Sequence, residues 1–587
     1  MAKIFKRLRP HEWVIMAVCV AFVAVQVWLD LKLPDYMQEV TLLVQTPGSA
    51  MKDIWIAGLK MLLCTLGGTV ATIIVGFFAA RVAAAVSQRL RADVFHRVED
   101  FSMEEINLFS TSSLITRTTN DITQIQMLIA MGLQVAIRAP ITAVWAITKI
   151  STKSWEWMTL TGGLVLLLLV TIISVMSYAL PRFKRIQTLT DNINRVTREN
   201  LTGIRVVRAY NAEKYQEAKF EKANDDLTTN NLQAHRAMNF FNPIMRLVMS
   251  GMTLGIYWIG AYLINNAGSM EDKGLLFSNM VVFMSYSMQI LMSFMMLTMI
   301  FIMLPRVMVS VRRVNEVLDT EPRILDGKIT DFETEASGEV EFKNVSFKYP
   351  DAEDYILYDI SFKANRGETV AFIGSTGSGK STLINLVPRF YDVTEGQILV
   401  DGIDIREYTQ AALRNKLGYV PQRAVLFSGT VSSNVRYGDN DREEAAEEEV
   451  RRAVSIAQAS EFVEQMTDTY DASISQGGTN VSGGQKQRLA IARAVCRKPE
   501  IFIFDDSFSA LDYKTDRVLR NALKNETKGV TSLIVAQRIG TIRDADKIIV
   551  LDDGRIVGQG THSELMRSCE VYREIALSQL SKEELGA

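Results

Sequence analysis

A glycine-rich segment that ends in a lysine and a serine carries the clearest chemistry in this 587-residue sequence. It runs from Gly374 to Ser381 and has the form GxxxxGK[ST], between an apolar run at 368–373 and a predicted helix at 382–389. Glycines let backbone N–H groups surround phosphate oxygens, and a helix N-terminus adds positive potential. We expect Lys380 to reach the β- and γ-phosphates of a nucleotide and Ser381 to coordinate Mg²⁺.

A second element follows far along the chain. The apolar run 499–505 ends in Asp505, and a buried strand that ends in a carboxylate can hold the coordination shell of Mg²⁺. Between the two elements, the sequence Ser482-Gly483-Gly484-Gln485 opens a predicted helix at 486–497. Strands and helices alternate around these segments, which predicts an α/β nucleotide-binding domain over 338–587.

The first half of the chain has a different composition. Residues 157–181, 247–270 and 274–305 contain no charged side chain, although the whole chain is 22% charged. A helix needs about 20 apolar residues to cross the hydrocarbon of a bilayer. We predict an α-helical transmembrane domain over 1–312 and a linker over 313–337. The six predicted spans are 13–29, 61–80, 122–148, 157–181, 241–270 and 274–305.

Charge asymmetry orients the predicted spans. Lys3, Lys6, Arg7 and Arg9 precede the first span, and the segments 81–121 and 182–236 are rich in arginine. These segments are predicted to lie in the cytoplasm as long helices, with turns at 111–121 and 201–211 that could touch another domain. Arg138 and Arg246 are expected near the cytoplasmic interface, where long side chains snorkel, with a functional role as the alternative.

Composition excludes several classes of protein. The net charge of −2 argues against an overall basic nucleic-acid binder, and no nucleic-acid partner is expected. The four cysteines are widely spaced without a CxxC pair, so they predict reduced thiols rather than a disulfide framework. The four histidines show no metal-ligand spacing.

The segment around Ser482 resembles the signature sequence of ABC transporter ATPases, and other positions agree. Tyr349 matches the aromatic residue that stacks on adenine, Gln422 the Q-loop and Asp512 the D-loop. With six spans before one such domain, the chain resembles a half-transporter of the type IV exporter group. The resemblance implies ATP and Mg²⁺ as cofactors, a multi-pass position in the plasma membrane, and a cytoplasmic N-terminus and nucleotide-binding domain.

The resemblance also implies the residues of the site. Two ATPase domains of the family pair head to tail, so each ATP lies between the Walker A loop of one chain (374–381 here) and the signature segment of the other (482–485 here). The residues implied to bind nucleotide are Tyr349, Gly374, Ser375, Thr376, Gly377, Ser378, Gly379, Lys380, Ser381, Thr382, Ser482, Gly483, Gly484, Gln485 and Asp512. Ser381, Gln422 and Asp505 are implied for Mg²⁺, and Asp506, Gln537 and Gln422 for catalysis.

Two catalytic positions depart from the family pattern. Asp506 stands where the family usually has the glutamate that polarises the attacking water, and Gln537 stands where it usually has the switch histidine. Gln476 also replaces a usual glutamate before the signature. A misplacement of about 1 Å can reduce a rate about 10²-fold. We therefore predict slow hydrolysis at this chain's own site, and a heterodimer whose partner carries the glutamate and the histidine.

A stripe of methionines in the sixth span suggests where cargo could bind. Methionine is flexible and common on promiscuous binding surfaces, although ordinary packing or lipid contact explains the stripe equally well. The candidate residues are Met284, Met288, Met292, Met295, Met296 and Met299. The predicted function is export of apolar or amphipathic compounds of multidrug type. The alternatives are a lipid or peptide exporter, a working homodimer, or an ATP-regulated channel or regulatory subunit.

Overall fold

The computed structural model describes residues 8–46, 48–151, 153–330, 337–439, 444–526 and 528–579. The chain forms two compact units. The first comprises Met1–Val98 and Ser112–Thr320, and the second comprises Glu99–Thr111 and Glu321–Ala587. Lys3, Lys6 and Arg7, which support the predicted orientation of the first span, lie outside the described residues.

Among the residues that the structure describes, six helices are long and apolar enough to cross a membrane, as predicted. Each is longer than the about 20 residues that a bilayer requires, so each extends beyond it. In chain order they are Pro10–Gln45 (α1), Met51–Glu99 (α2), Thr111–Ile150, Trp155–Thr202 (α7), Glu213–Asn266 and Met270–Asp319 (α11). The third consists of Thr111–Thr116 (α4), Ile122–Met131 (α5) and Arg138–Ile150 (α6), joined by π-helical turns at Arg117–Asp121 and Gly132–Ala136. The fifth consists of Glu213–Asn239 (α9) and Phe241–Asn266 (α10).

The structure has one of the two predicted turns between long helices at its predicted position, and the other at a different position. A short helix, Ile204–Ala209 (α8), lies within the second predicted turn. The first predicted turn, 111–121, is wrong because these residues already belong to the third membrane helix. The turn lies earlier, where a short helix Met103–Phe109 (α3) is capped by Ser102 and stops at Ser110 with φ of 58°.

The predicted linker also begins later than expected. The helix α11 continues to Asp319, so residues 313–319 extend the sixth membrane helix rather than joining two domains. Thr320 ends the first unit and Glu321 begins the second. Part of the predicted linker, 331–336, lies outside the described residues.

Buried aromatic side chains hold the first unit together. Trp157 is fully buried and its Nε1 donates to the carbonyl oxygen of Ile256 over 3.2 Å. The buried hydroxyl of Tyr286 donates to Oδ1 of Asp35 over 2.6 Å. Large aromatic groups contribute much apolar burial, and their polar ends require such partners. These contacts tie α11 to α1 and α7 to α10.

The second unit contains two main sheets. The six-stranded sheet has the order β12-β11-β3-β10-β9-β6, and the four-stranded sheet has the order β2-β1-β4-β5. The strands are Val340–Phe347 (β1), Leu357–Ala364 (β2), Thr369–Gly374 (β3), Glu395–Val400 (β4), Ile403–Asp404 (β5), Leu417–Val420 (β6), Gly429–Thr430 (β7), Ser473–Ile474 (β8), Ile501–Asp505 (β9), Thr531–Val535 (β10), Lys547–Asp552 (β11) and Arg555–Gly560 (β12). The helices are Lys380–Leu386 (α12), Gln410–Asn415 (α13), Val431–Val435 (α14), Glu447–Ile456 (α15), Ser460–Glu464 (α16), Gly483–Cys496 (α17), Tyr513–Glu526 (α18), Ile539–Ile542 (α19), His562–Ser568 (α20) and Glu570–Gln579 (α21).

Strand register brings the predicted chemistry to one edge of the larger sheet. The strands β3, β10, β9 and β6 run parallel, and all five residues of β9 are buried. Such runs are typical of parallel strands covered on both faces. Val535 pairs with Asp505 on one side and with Phe372 on the other. The carboxyl ends of three strands therefore lie together.

Candidate functional site

The loop that is predicted to bind phosphate leaves β3 at Gly374 and ends in α12. A side chain at Gly374 is excluded, because its Cβ would overlap the carbonyl oxygen of Leu551. Gly379 has φ of 90°, which side-chain-bearing residues rarely adopt. Ser375, Thr376, Gly377 and Ser378 complete the loop between them. The local backbone thus has the strand–loop–helix form that the sequence predicts.

Lys380 lies inside this loop with only 9% of its surface exposed. Its Nζ donates to the carbonyl oxygens of Gly374 (3.0 Å) and Ser375 (2.6 Å) and to Oγ of Ser378 (3.2 Å). Burial lowers the pKa of Lys380, and the nearby carboxylate of Asp506 opposes that effect. A positive charge in this position attracts phosphate with less screening by water than one at the surface.

Asp505 ends β9 beside the start of α12. The Ser381 hydroxyl donates to Oδ1 of Asp505 over 2.7 Å. Burial raises the pKa of Asp505, as does the neighbouring charge of Asp506, while the Ser381 hydrogen bond lowers it. A hydroxyl and a carboxylate oxygen at this separation are ligands that Mg²⁺ prefers, so the pair fits the predicted metal.

Asp506 and Gln537 contact each other directly. Gln537 Nε2 donates to Oδ2 of Asp506 over 2.8 Å. Asp506 is 7% exposed and has φ of 45°. Burial raises its pKa, and hydrogen bonds from Ser509 and Gln422 lower it. The structure therefore brings together all three residues predicted for catalysis.

The predicted adenine-stacking residue lies in a cluster of aromatic rings. The Tyr349 ring packs edge-on against Tyr391, with centroids 5.2 Å apart, and its hydroxyl lies 3.1 Å from Oγ1 of Thr382. Asn107 of α3 donates to the Tyr391 hydroxyl over 3.1 Å. Tyr391 and Asn107 were not among the predicted site residues, because neither belongs to a motif that the sequence displays.

The signature segment is held by a helix cap. Ser482 N donates to Oε1 of Gln485 over 2.8 Å, and Gln485 N donates to Oγ of Ser482 over 3.3 Å. This reciprocal capping box fixes the start of α17. Ser482 and Gly483 are exposed, with Gly484 half-buried beside the carbonyl oxygen of Ala510. Asp512 is exposed, and hydrogen bonds from the side chain and the backbone N–H of Thr515 lower its pKa.

The six candidate methionines separate into two groups. Met288, Met292 and Met296 line a cavity of about 510 Å³ within the first unit. Met284 and Met295 pack against the apolar core, and Met299 is 56% exposed. Only half of the predicted methionines therefore line this cavity. Met288, Met292 and Met296 are spaced four apart, whereas Met295 precedes Met296 by one residue and so lies about 100° away around the helix.

Arg138 forms an ion pair with Asp30 within the first unit. It follows the second π-helical turn and opens α6. Its Nη2 donates to Oδ2 of Asp30 over 2.9 Å, and both residues line the methionine cavity. Asp30 was not predicted, because the first span was expected to end at residue 29 whereas α1 continues to Gln45.

Six apolar helices followed by a domain with a phosphate-binding loop define a membrane-embedded transport ATPase. The chain matches the family described as ABC transporter transmembrane region over residues 14–294, and the family described as ABC transporter over residues 357–509. It is 40% identical to an uncharacterized ABC transporter ATP-binding protein of Mycobacterium tuberculosis, covering 89% of this chain and 88% of that protein. The chain belongs to the ABC transporter family.

Two further comparisons refine the class. An ATP-dependent lipid A-core flippase of Pseudomonas fluorescens is 30% identical, with 85% of this chain and 81% of the flippase covered. The structure of a bacterial Atm1-family ABC exporter with ATP bound is similar, with a TM-score of 0.78 and 25% identity over 97% of this chain and 98% of that chain. The chain is an ABC exporter half-transporter, which is driven by ATP.

Proposed function

We propose that this chain is one subunit of a heterodimeric exporter of apolar or amphipathic compounds of multidrug type. Its own ATP site binds nucleotide but hydrolyses it slowly, and its signature segment completes the catalytic site of the partner. The partner carries the glutamate and the histidine that this chain lacks. Both nucleotide-binding domains lie in the cytoplasm, and the exporter lies in the plasma membrane.

The hydrogen bond between Gln537 and Asp506 carries this proposal. An aspartate is one methylene shorter than a glutamate, which withdraws its carboxylate from the attacking water. Here the carboxylate also accepts a hydrogen bond from the switch residue. Loss of a positioned general base typically slows a reaction about 10²–10⁴-fold. Gln537 is neutral, so it adds no positive charge to balance the transition state.

Retention of nucleotide binding has separate support. Mg²⁺ would be held by Ser381 and Asp505, and would neutralise phosphate charge when bound. Lys380 is buried in the loop, and Tyr349 lies beside Thr382 at the start of α12. None of these side chains depends on the contact between Asp506 and Gln537. We infer a site that retains nucleotide binding although its own hydrolysis is slow.

The exposed, capped signature segment supports a role toward a second chain. Ser482 and Gly483 are accessible, and the capping box orders the backbone that presents them. In head-to-tail pairing, the signature segment of one chain must hold a fixed conformation to contact the nucleotide bound by the other chain. This segment retains the family sequence even though the catalytic positions do not.

ATP turnover of the purified chain, alone and with its partner, tests the proposal. We expect the lone chain to be nearly inactive and the pair to be active. Ser482→Arg should abolish turnover of the pair, whereas Lys380→Ala should reduce it only partly. Lys343→Ala, a surface lysine of the same domain, is the matched control. An ordinary rate for the lone chain would overturn the proposal in favour of a working homodimer.

A lipid is the second candidate for the cargo. The lipid A-core flippase relative and the charged side chains that line the methionine cavity favour it. Reconstituted pairs assayed for flipping of a labelled phospholipid and for efflux of an apolar dye distinguish the two. Flipping without efflux would favour the lipid.

A further inference from the structure

The cavity that is lined by Met288, Met292 and Met296 (the methionine cavity) also contains charged side chains, which come from helices other than the sixth. It lies between α1, α2, the third membrane helix and α11, with a volume of about 510 Å³. Met288, Met292 and Met296 form an apolar wall, and Asp30 and Arg138 also line the cavity. A ligand there meets both an apolar surface and an ion pair.

The ion pair lies far from the ends of the membrane helices that carry it. Asp30 precedes the end of α1 at Gln45, and Arg138 opens α6, which ends at Ile150. At about 1.5 Å per residue, these positions are about 22 Å and about 18 Å from the helix ends. Charged groups within membrane helices are costly, and they typically mark substrate or ion pathways. Each side chain is 34% exposed, so neither is sealed inside the protein.

The polar groups of the cavity retain unused hydrogen-bonding capacity. A guanidinium has five N–H donors, and within the described part of the chain only Nη2 of Arg138 has a partner, Asp30. Gln26 is 5% exposed and lines the cavity, and its side-chain amide has no hydrogen bond within the described ranges. The Thr65 and Thr69 hydroxyls donate to carbonyl oxygens of their own helix, which leaves their lone pairs as acceptors.

Two adjacent glycines of α2 leave space for Asp30, the acidic member of the ion pair. A Cβ at Gly68 would lie 3.2 Å from Oδ1 of Asp30, and a Cβ at Gly67 would lie 3.0 Å from Cδ1 of Leu29. The two glycines thus leave room beside α2 for the side chains of Leu29 and Asp30. Oδ2 of the Asp30 carboxylate accepts the Arg138 hydrogen bond. Oδ1 accepts no hydrogen bond from the residues that the structure describes.

We propose that this cavity binds the head group of a zwitterionic amphiphile, with its acyl or alkyl chain against the methionines. Arg138 would bind an anionic phosphate or carboxylate through its free N–H donors, since a guanidinium matches such groups. Asp30 would attract an ammonium group through opposite charge, and would also accept a hydrogen bond where that group carries an N–H. The pair carries no net charge, so a purely cationic ligand meets Arg138 unfavourably and a purely anionic one meets Asp30. This inference rests on the proposed export of amphipathic compounds and names their class.

Equilibrium binding to the full-length chain without nucleotide tests the inference. The chain is purified in a detergent with a neutral sugar head group. The fluorescent probes share one chain length and differ in head group: lysophosphatidylethanolamine, an alkylbetaine, lysophosphatidylglycerol, an alkylammonium and a monoacylglycerol. We expect both zwitterions to bind more tightly than the charged and neutral probes. A lysophospholipid that binds better than the betaine indicates a lipid cargo, and the reverse indicates a synthetic-type zwitterion.

A neutral double variant removes the ion pair. Asp30→Asn with Arg138→Gln should weaken binding of the zwitterions about tenfold or more, a change of about 1.4 kcal/mol, and leave monoacylglycerol binding nearly unchanged. Asp35→Asn with Lys149→Gln is the matched control, because it removes another ion pair, 2.7 Å long, between the same two membrane helices. Neither control residue lines the cavity.

The result that overturns the inference is equal binding of all five probes, or an equal loss in both double variants. If the neutral variant does not fold, the exchanged pair Asp30→Arg with Arg138→Asp takes its place and should keep zwitterion binding. Because binding is measured without ATP, the assay does not depend on turnover. If the lone chain hydrolyses ATP at an ordinary rate but zwitterions still bind more tightly, only the heterodimer proposal is contradicted. If the lone chain is nearly inactive but all probes bind equally, only this inference is contradicted.

Discussion

Gln537 Nε2 donates a 2.8 Å hydrogen bond to Oδ2 of Asp506, so the two residues that depart from the family pattern contact each other. The contact follows from the sheet. Val535 pairs with Asp505 in parallel register, which places the residues after both strand ends side by side. Asp506 N also donates to the carbonyl oxygen of Val535 over 3.0 Å. The two substitutions therefore act as one unit, and their effects should not be additive.

Restoring both family residues should accelerate hydrolysis. For the purified chain alone, where two copies present intact signature segments, we expect Asp506→Glu with Gln537→His to raise ATP turnover about 10²-fold or more. The longer carboxylate reaches the attacking water, and histidine replaces a neutral amide. Steady-state phosphate release measures the change.

Each single variant should recover much less than the product of the two effects predicts. Asp354→Glu, an exposed aspartate of the same domain, provides the control. If the double variant is no faster than the wild-type chain, the short carboxylate and the glutamine do not limit the reaction.

The carboxyl pair should destabilise the ATPase domain at neutral pH. Burial raises the pKa of Asp505 and of Asp506, so the folded chain binds their protons more tightly than the unfolded chain does. The free-energy cost of ionisation is therefore present above the raised folded pKa values. It disappears as pH falls through them toward the ordinary carboxyl range.

The variant Asp506→Asn should therefore unfold at a higher temperature than the wild type at about pH 7.5. Its advantage should shrink as pH falls, because both chains then carry a neutral group at this position. Thermal unfolding without nucleotide or Mg²⁺, at several pH values, measures this trend. Asp354→Asn, at an exposed position, should show no such gain. A gain that grows in acid would contradict the sign of the argument.

The signature serine should have two separable roles. Ser482→Ala removes an N-cap and should lower the free energy of unfolding by about 1 kcal/mol. Thr561→Ala removes the cap of α20, which has the same reciprocal box, and should have a similar effect. Only the Ser482 variant should also reduce turnover of the proposed heterodimer.

Ser482→Asn separates the roles, because asparagine caps a helix as well as serine does. We expect it to retain stability and to lose turnover with the partner. Chemical denaturation and phosphate release, measured on the same preparations, give both quantities. Equal turnover in the asparagine variant and the wild type would limit Ser482 to a structural role.

Most of the second unit could be predicted because its signals are local. Gly374 to Ser381 specify a loop between a strand and a helix, and Asp505 ends a run of apolar residues. The structure has β3, α12 and β9 at these places. The contact of Asp506 with Gln537 could not be predicted from spacing, since it depends on the pairing of β9 with β10.

The first unit was predicted less completely, because lipid-facing and cavity-facing charges look alike in a sequence. Asp30 marked the end of the first span in the hydropathy pattern, yet α1 continues beyond it to Gln45. Its partner Arg138 lies 108 positions away. The first turn was misplaced because the residues after Ser110 are polar, although the third membrane helix already includes them. Helices that extend beyond the bilayer have no hydropathy signal at their ends.

Close packing of the fifth membrane helix against its neighbours yields the last prediction. Gly260 is buried, and a Cβ there would overlap Sδ of Met280 and lie 3.4 Å from Cζ2 of Trp157. A Cβ at Gly251, in the same helix, would have nothing within 4 Å.

Gly260→Ala should therefore lower the stability of the chain by about 1–3 kcal/mol, as overpacking typically does. Gly251→Ala should be neutral or slightly stabilising, because alanine favours a helix over glycine. Thermal unfolding in detergent compares the two, and Gly260→Ala should cost less in a Met280→Ala background than in the wild type, because the contacting sulfur is then absent. Equal effects of the two glycine variants would show that Met280 moves aside without cost.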